Sequence, residues 1–173
     1  MSKDAAYTEW MIWFDHEKCT QCHGCEVACR AWRGLDHGVW YRRVHNVWRG
    51  GYPRVKSHSV SLGCLHCVEP ACAAVCPEEA ISKRESDGLV RVDRERCTGC
   101  GVCMDACPYG IPQFGPAGIM EKCDLCEGQP GREFGPPCAA TCPGDALSLR
   151  AVDIGEKAAH QKSMLALMAS VGG

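Results

Sequence analysis

Sixteen of the 173 residues are cysteine, and they fall into four groups of four with none left over. The groups are Cys19, Cys22, Cys25, Cys29; Cys64, Cys67, Cys72, Cys76; Cys97, Cys100, Cys103, Cys107; and Cys123, Cys126, Cys138, Cys142. Every group closes with Cys-x₃-Cys, and three continue into proline, at Pro77, Pro108 and Pro143. Aromatic residues make up only 7% of the chain. A chain so poor in large apolar side chains builds a weak core and needs cross-links. Disulfides, zinc and iron–sulfur clusters are the candidates.

The N-terminal residues Met1 to Ala6 contain no apolar core and no twin arginine, so no export signal is expected in the chain itself. That reading makes it cytoplasmic, where thiols stay reduced and cysteine patterns mean metal. A single Cys-x₂-Cys would suit zinc; four complete quartets exceed it. Residues 19–23, CTQCH, match a c-type haem attachment site. That use would strand Cys25 and Cys29, so His23 is expected to be an ordinary loop residue.

The third quartet, CTGCGVCMDACP, is the bacterial ferredoxin run unaltered. In that run three cysteines wrap one [4Fe–4S] cube and the fourth reaches a second cube. Two tight x₂ gaps present three thiolates to one cube. The chain then leaves as a short helix, its x₃ cysteine points to the neighbour, and proline ends the excursion. Quartets must therefore pair. The second and third are adjacent, so the first and fourth pair around them. One inner cube takes Cys64, Cys67, Cys72 and Cys107; the other takes Cys97, Cys100, Cys103 and Cys76. One outer cube takes Cys19, Cys22, Cys25 and Cys142; the other takes Cys123, Cys126, Cys138 and Cys29. Four [4Fe–4S] clusters would thus staple distant segments together.

Between the inner quartets, residues 80–83 and 89–92 read as strands around a Ser86-Asp87-Gly88 turn. CPEEAI (76–81) and CPGDAL (142–147) are near copies. The expected fold class is α+β: two intertwined bacterial-ferredoxin-like units, loop-rich, with short β-hairpins and short helices. The outer unit comprises 10–30 plus 111–153, and the inner unit 64–110. A basic and aromatic insert spans 31–63, and a C-terminal tail spans 154–173.

These motifs resemble the four-cluster iron–sulfur electron-transfer subunits of the dimethyl sulfoxide reductase family of molybdenum and tungsten oxidoreductases. The resemblance lies in the spacing of the second and fourth quartets and in CLHCVEPAC (64–72), DGLVRVD (87–93), CPYG (107–110) and KCDLC (122–126). The step Tyr41-Arg42-Arg43 is similar too. It implies a non-catalytic subunit that relays single electrons through four [4Fe–4S] clusters. Its partner would be a large catalytic subunit carrying a molybdenum or tungsten bis-pterin, with a membrane quinone-linked anchor or a soluble donor at the far end. Such a subunit can be exported folded on a partner bearing the twin-arginine signal. A free polyferredoxin, or a subunit of a hydrogenase or formate–hydrogen lyase assembly, is the alternative.

Lys122 and Arg96, each just before a quartet, are the candidates for favouring cluster reduction by charge. His23 and His66 are expected to pack or to face water, and Tyr109 to pack beside a cube. The insert carries Trp32, Trp40, Tyr41, Trp48 and Tyr52 among arginines. It is read as a docking surface for the catalytic subunit, ahead of a cluster-shielding flap, and not as a nucleic-acid site. Residues 127–137 form a Gly/Pro loop. The tail from Gly155 to Val171 can form a helix with Leu165, Leu167 and Met168 as its apolar residues, too short and polar to cross a membrane. No nucleophile–base pair or phosphate loop stands out.

Overall fold

The computed structural model describes residues 8–130, 135–169 and 171. Part of the Gly/Pro loop expected at 127–137 therefore lies outside the described residues, as does the N-terminal hexapeptide. Among the described residues, eight strands form four two-stranded antiparallel ladders with five helices around them. This is the mixed α+β class expected from the sequence.

Strand β1 (Thr8–Phe14) pairs with β8 (Leu147–Asp153) from Thr8↔Asp153 to Phe14↔Leu147. This ladder carries the segment before the first quartet alongside the segment after the fourth. The approach is close beyond the ladder as well. A Cβ on Gly144 would stand 2.3 Å from the Lys18 carbonyl oxygen, so only glycine fits there. The inner hairpin pairs β4 (Ile81–Lys83) with β5 (Val90–Val92). Each strand begins one residue later than the sequence pattern suggests. Gly88 turns the hairpin at φ 72, a value that glycine adopts freely. A short ladder of β6 (Gln113–Phe114) with β7 (Met120–Glu121) follows the third quartet; at two residues a strand it carries no periodicity to read.

Helices α2 (Ala71–Ala74), α3 (Val102–Ala106) and α4 (Pro137–Ala140) are only four or five residues long. Each stops before a Cys-Pro step, because the residue preceding proline is pushed out of the helical region. Helix α1 (Gly24–Arg33) has Arg30 where the others have proline. Its N–H groups are intact, so it runs ten residues and carries Cys29 mid-helix.

The insert is a regular hairpin, β2 (Arg42–Arg49) with β3 (Lys56–Gly63), in register from Arg42↔Gly63 to Arg49↔Lys56. It shows little polar–apolar alternation because its two ends have different surroundings. The base is covered, with Ser59 to Gly63 all buried, whereas the tip from Trp48 to Ser57 is exposed. The insert thus divides into a shielding base and an open tip.

Helix α5 (Ile154–Ala169) lies across β1 and β8. It turns Lys157, His160 and Met164 inward and leaves Leu165 42% exposed. Leu167 and Met168 are partly buried against the main core. His160 stacks on Trp13 with centroids 4.0 Å apart. Lys157 bonds the buried Glu9 on β1, which also pairs with Lys83 of the inner hairpin. Among the described residues, no helix is long and apolar enough to cross a membrane.

Two cores result. The larger gathers Ile12, Phe14, Val60, Leu62, Leu125, Leu147 and Met164 around Cys25, Cys29, Cys123 and Cys138. The smaller gathers Ile81, Val90 and Met120 around Cys103. Cysteine sits inside both, so the apolar packing is arranged around thiols.

Candidate metal centres

Each quartet begins with a Cys-x₂-Cys loop, and all four loops bend in the same way. The residue before the second cysteine is left-handed in every case: Gln21 at φ 59, His66 at 48, Gly99 at 72 and Leu125 at 56. A non-glycine residue there costs roughly 1 kcal/mol or more. Three loops accept that strain at the same position, with Gln21, His66 and Leu125. The two near-copies also agree in detail. Glu79 and Asp145 are left-handed at φ 48 and 50. The N–H groups of Ala80 and Ala146 donate to the Cys76 and Cys142 sulfurs at 3.3 Å. Further N–H donors reach Cys97 from Met120 and Cys123 from Leu125, both at 3.4 Å. Hydrogen bonds of this kind favour the thiolate and tune a bound cluster.

The thiols converge across the chain. Cys76, Cys97, Cys100 and Cys103 line one cavity, although Cys76 belongs to the second quartet. Cys19, Cys22, Cys25 and Cys142 line another, joining the two ends of the chain. Cys67 interacts electrostatically with Cys64, Cys72 and Cys107. Cys29 interacts with Cys126 and Cys138, and Cys123 with Cys29 and Cys138. The fold thus brings the x₃ cysteine of each quartet among thiols of another.

No disulfide joins the cysteines. Burial and mutual repulsion push the Cys29 and Cys67 thiols up to about 12 and Cys72 up to about 11. Left alone, such groups would stay protonated. A bound cation reverses that preference, and the ligands deprotonate as it binds. Among the described residues, no three His, Cys, Asp or Glu stand close enough to hold a single metal ion. A mononuclear site needs its sulfurs about 2.3 Å from one ion, whereas a cube holds its thiolates at separate corners. Crowded, hydrogen-bonded but spaced thiols fit iron–sulfur cubes.

The charges around these thiols differ from the sequence expectation in two respects. Lys122 is buried, and it donates to the Val90 carbonyl and, at 3.1 Å, to the Cys123 carbonyl. Its charge reaches Cys72, which it helps to lower. Arg96, by contrast, is half exposed and pairs at 3.4 Å with Glu79, itself 85% exposed; it is a solvated surface charge. The residue that sequence reasoning missed is Arg42. It is 4% exposed and lies among Cys25, Cys29, Cys123 and Cys138, whose proximity holds its guanidinium firmly charged. Nothing local separates it from Arg43, which is exposed and lies over Trp40. Only the strand pairing turns Arg42 inward.

His66 is wholly buried, and its Nδ1 accepts from the Val90 N–H at 3.0 Å. Burial and the nearby lysines hold its pKa well below the usual histidine range, so it is neutral with the proton on Nε2. His23 lies at the surface, 2.8 Å from Glu26 and 3.1 Å from Asn46. Tyr109 packs against the larger core and donates its hydroxyl to the Gln161 carbonyl at 2.8 Å, which ties α5 to the third quartet.

Comparison with known proteins finds 4Fe-4S domains over these cysteines. Residues 55–152 match the 4Fe-4S dicluster domain, and residues 16–32 match a 4Fe-4S binding domain. The chain is 39% identical over 157 residues to one of the polypeptides of the anaerobic dimethyl sulfoxide reductase of Escherichia coli, covering 86% of this chain and 74% of the relative. It is 43% identical over 122 residues to a formate dehydrogenase iron–sulfur subunit of Wolinella succinogenes, covering 67% and 60%. It is 32% identical over 161 residues to one of the subunits of the sulfite dehydrogenase of Allochromatium vinosum, covering 80% and 67%.

Proposed function

The chain belongs to the iron–sulfur subunit family of the dimethyl sulfoxide reductase type, and we propose that it relays single electrons between a catalytic subunit and a separate donor or acceptor without itself transforming a substrate. Four bound [4Fe–4S] clusters would each accept and release one electron at a time. The ligand sets are those given by the spacing: Cys19, Cys22, Cys25, Cys142; Cys123, Cys126, Cys138, Cys29; Cys64, Cys67, Cys72, Cys107; and Cys97, Cys100, Cys103, Cys76.

The observation that carries this reading is the exchange of x₃ cysteines between distant quartets. Cys76 lines the cavity of the third quartet, and Cys142 that of the first. A ligand shared this way holds two loops at a fixed separation, as a relay requires. The inner unit (64–110) and outer unit (10–30 with 111–153) are the two ferredoxin-like halves, and the left-handed residues Glu79 and Asp145 mark equivalent points in them.

The partner is a large molybdenum or tungsten bis-pterin subunit. The hairpin tip suits docking, because Trp48 is 66% and Tyr52 96% exposed amid Arg49, Arg54 and Lys56. Aromatic and arginine side chains are favoured interface anchors. Native anaerobic purification tests the proposal. It should yield a stable complex with a large metallopterin subunit, and iron and acid-labile sulfide equal to four cubes per copy of this chain. Isolation of this chain alone, active with many unrelated donors, would refute the dedicated role.

A further inference from the structure

Arg42 and Ser61 form a built contact beside the outer thiols. Arg42 Nη1 donates to the Ser61 hydroxyl at 3.2 Å and to the Ser61 carbonyl at 3.3 Å. The Ser61 oxygen lies 3.4 Å from the Cys25 sulfur. Since Arg42 has only protons to offer, the serine oxygen accepts from it and its own proton turns to the sulfur. The contact runs Arg42 to Ser61 to Cys25. The opposite strand is adapted to it: Arg42 faces Gly63, and a Cβ there would stand 3.2 Å from Nη2 and 3.0 Å from the Tyr41 carbonyl oxygen.

The four cysteines around Arg42 do not belong to one set. Cys25 belongs to one proposed outer cube, and Cys29, Cys123 and Cys138 to the other. Among the described residues, no carboxylate is paired with Arg42. A buried guanidinium without a carboxylate is expensive unless other negative charge surrounds it. The thiolates and the cubes they hold supply that charge.

We infer that Arg42 is a fixed cation shared by the two outer clusters, which raises both of their reduction potentials, and that Ser61 extends its effect to the cube held by Cys25. This rests on the ligand sets proposed above. The electron balance is simple. One electron leaves one outer cube and enters the other, so the total charge around Arg42 is constant and the stabilisation follows the electron. Lys122 stands between the two sets, donating to the Cys123 carbonyl at 3.1 Å and acting on Cys72 of one proposed inner cube, so it is not the counterpart of Arg42.

The test compares the purified wild-type complex with Arg42→Gln, Arg42→Lys and Ser61→Ala. Iron and sulfide are counted in each, and potentials are followed by redox titration with EPR detection. Arg42→Gln with a full iron complement should disfavour reduction of two clusters at least tenfold, a fall of 59 mV for a one-electron couple, and leave the other two unmoved. Arg42→Lys should recover most of the shift, and Ser61→Ala should lower one cluster by a smaller amount. Four unchanged potentials in fully loaded Arg42→Gln, or an equal fall in all four, would overturn the inference. If Arg42→Gln fails to assemble, Ser61→Ala decides, and its unchanged potentials would overturn it equally. A wild-type protein with fewer than four cubes would instead refute the underlying cluster assignment.

Discussion

Lys157 Nζ stands 2.8 Å from Glu9 Oε2, with the two side chains 0% and 1% exposed. The pair joins the first strand to the last helix, and Lys83 of the inner hairpin adds its own charge to the same carboxylate at 2.6 Å. Both lysines lower the Glu9 pKa against a burial effect that raises it. Three segments remote in sequence thus close on one buried charge.

Lys157→Met should destabilise the protein by about 3 kcal/mol, because it leaves Glu9 buried with only Lys83. Thermal denaturation of the loaded protein measures this. Glu9→Met combined with Lys157→Met should recover part of the loss, since removing both charges removes the burial penalty as well. A single variant as stable as the wild type would show that the pair has no structural weight.

Replacing a shared ligand should damage the cluster of a different quartet. Cys29→Ser is expected to alter the same EPR signal as Cys126→Ser, and Cys25→Ser a different one. If Cys25 and Cys29 variants lose the same signal, the exchange of ligands between the first and fourth quartets is wrong.

Gly144→Ala should be poorly tolerated. Its Cβ would lie 2.3 Å from the Lys18 backbone oxygen, closer than any contact can relax without moving a chain segment. A loss of about 1–3 kcal/mol is expected from overpacking, together with faster loss of the cluster held by Cys19 and Cys142. The measurement is the rate of iron release to a chelator, with Gly128→Ala unsuitable as a control because Gly128 is itself left-handed at φ 69; Gly51→Ala, with open space around it, serves instead.

His160 should make α5 docking pH-dependent. Burial lowers its pKa from 6.5 to about 4. Between those values the unfolded chain holds the extra proton, so stability is full above pH 6.5 and falls as pH drops towards 4. The fall from about pH 7 to about pH 5 amounts to about 2 kcal/mol. His160→Phe can keep the stack on Trp13 and should flatten that part of the pH profile of the thermal midpoint. An unaltered slope in the variant would assign the acid sensitivity to other groups.

Much of the site is legible in the sequence because cluster geometry works through short-range spacing. The loops around Gln21, His66, Gly99 and Leu125 share one bend, and each is set by a gap of two residues between cysteines. The same spacing fixes where α2, α3 and α4 stop, since proline acts on its immediate neighbours. The length of α1 follows from Arg30 standing where the others have proline. The β2–β3 hairpin is harder to see. Five consecutive residues of β3 are buried, so the period-2 signal that marks a half-exposed strand is absent. The inward face of α5 escapes a sequence reading for a related reason. Two of its three buried residues are Lys157 and His160, which composition places outside and which only buried partners can hold within.

The sequence alone determined the cysteine quartets, their loop geometry, the endpoints of the short helices and the α+β class, because each depends on residues a few positions apart. The tertiary structure decided which charges matter. Arg42, Arg43 and Arg96 are chemically alike, and no local rule ranks them. Strand pairing buries Arg42 among four thiols from two quartets and leaves Arg43 in water, while Arg96 is exposed in the loop after β5. Burial withdraws the screening that water gives to a charge, and it depends on the whole chain coming together around that position.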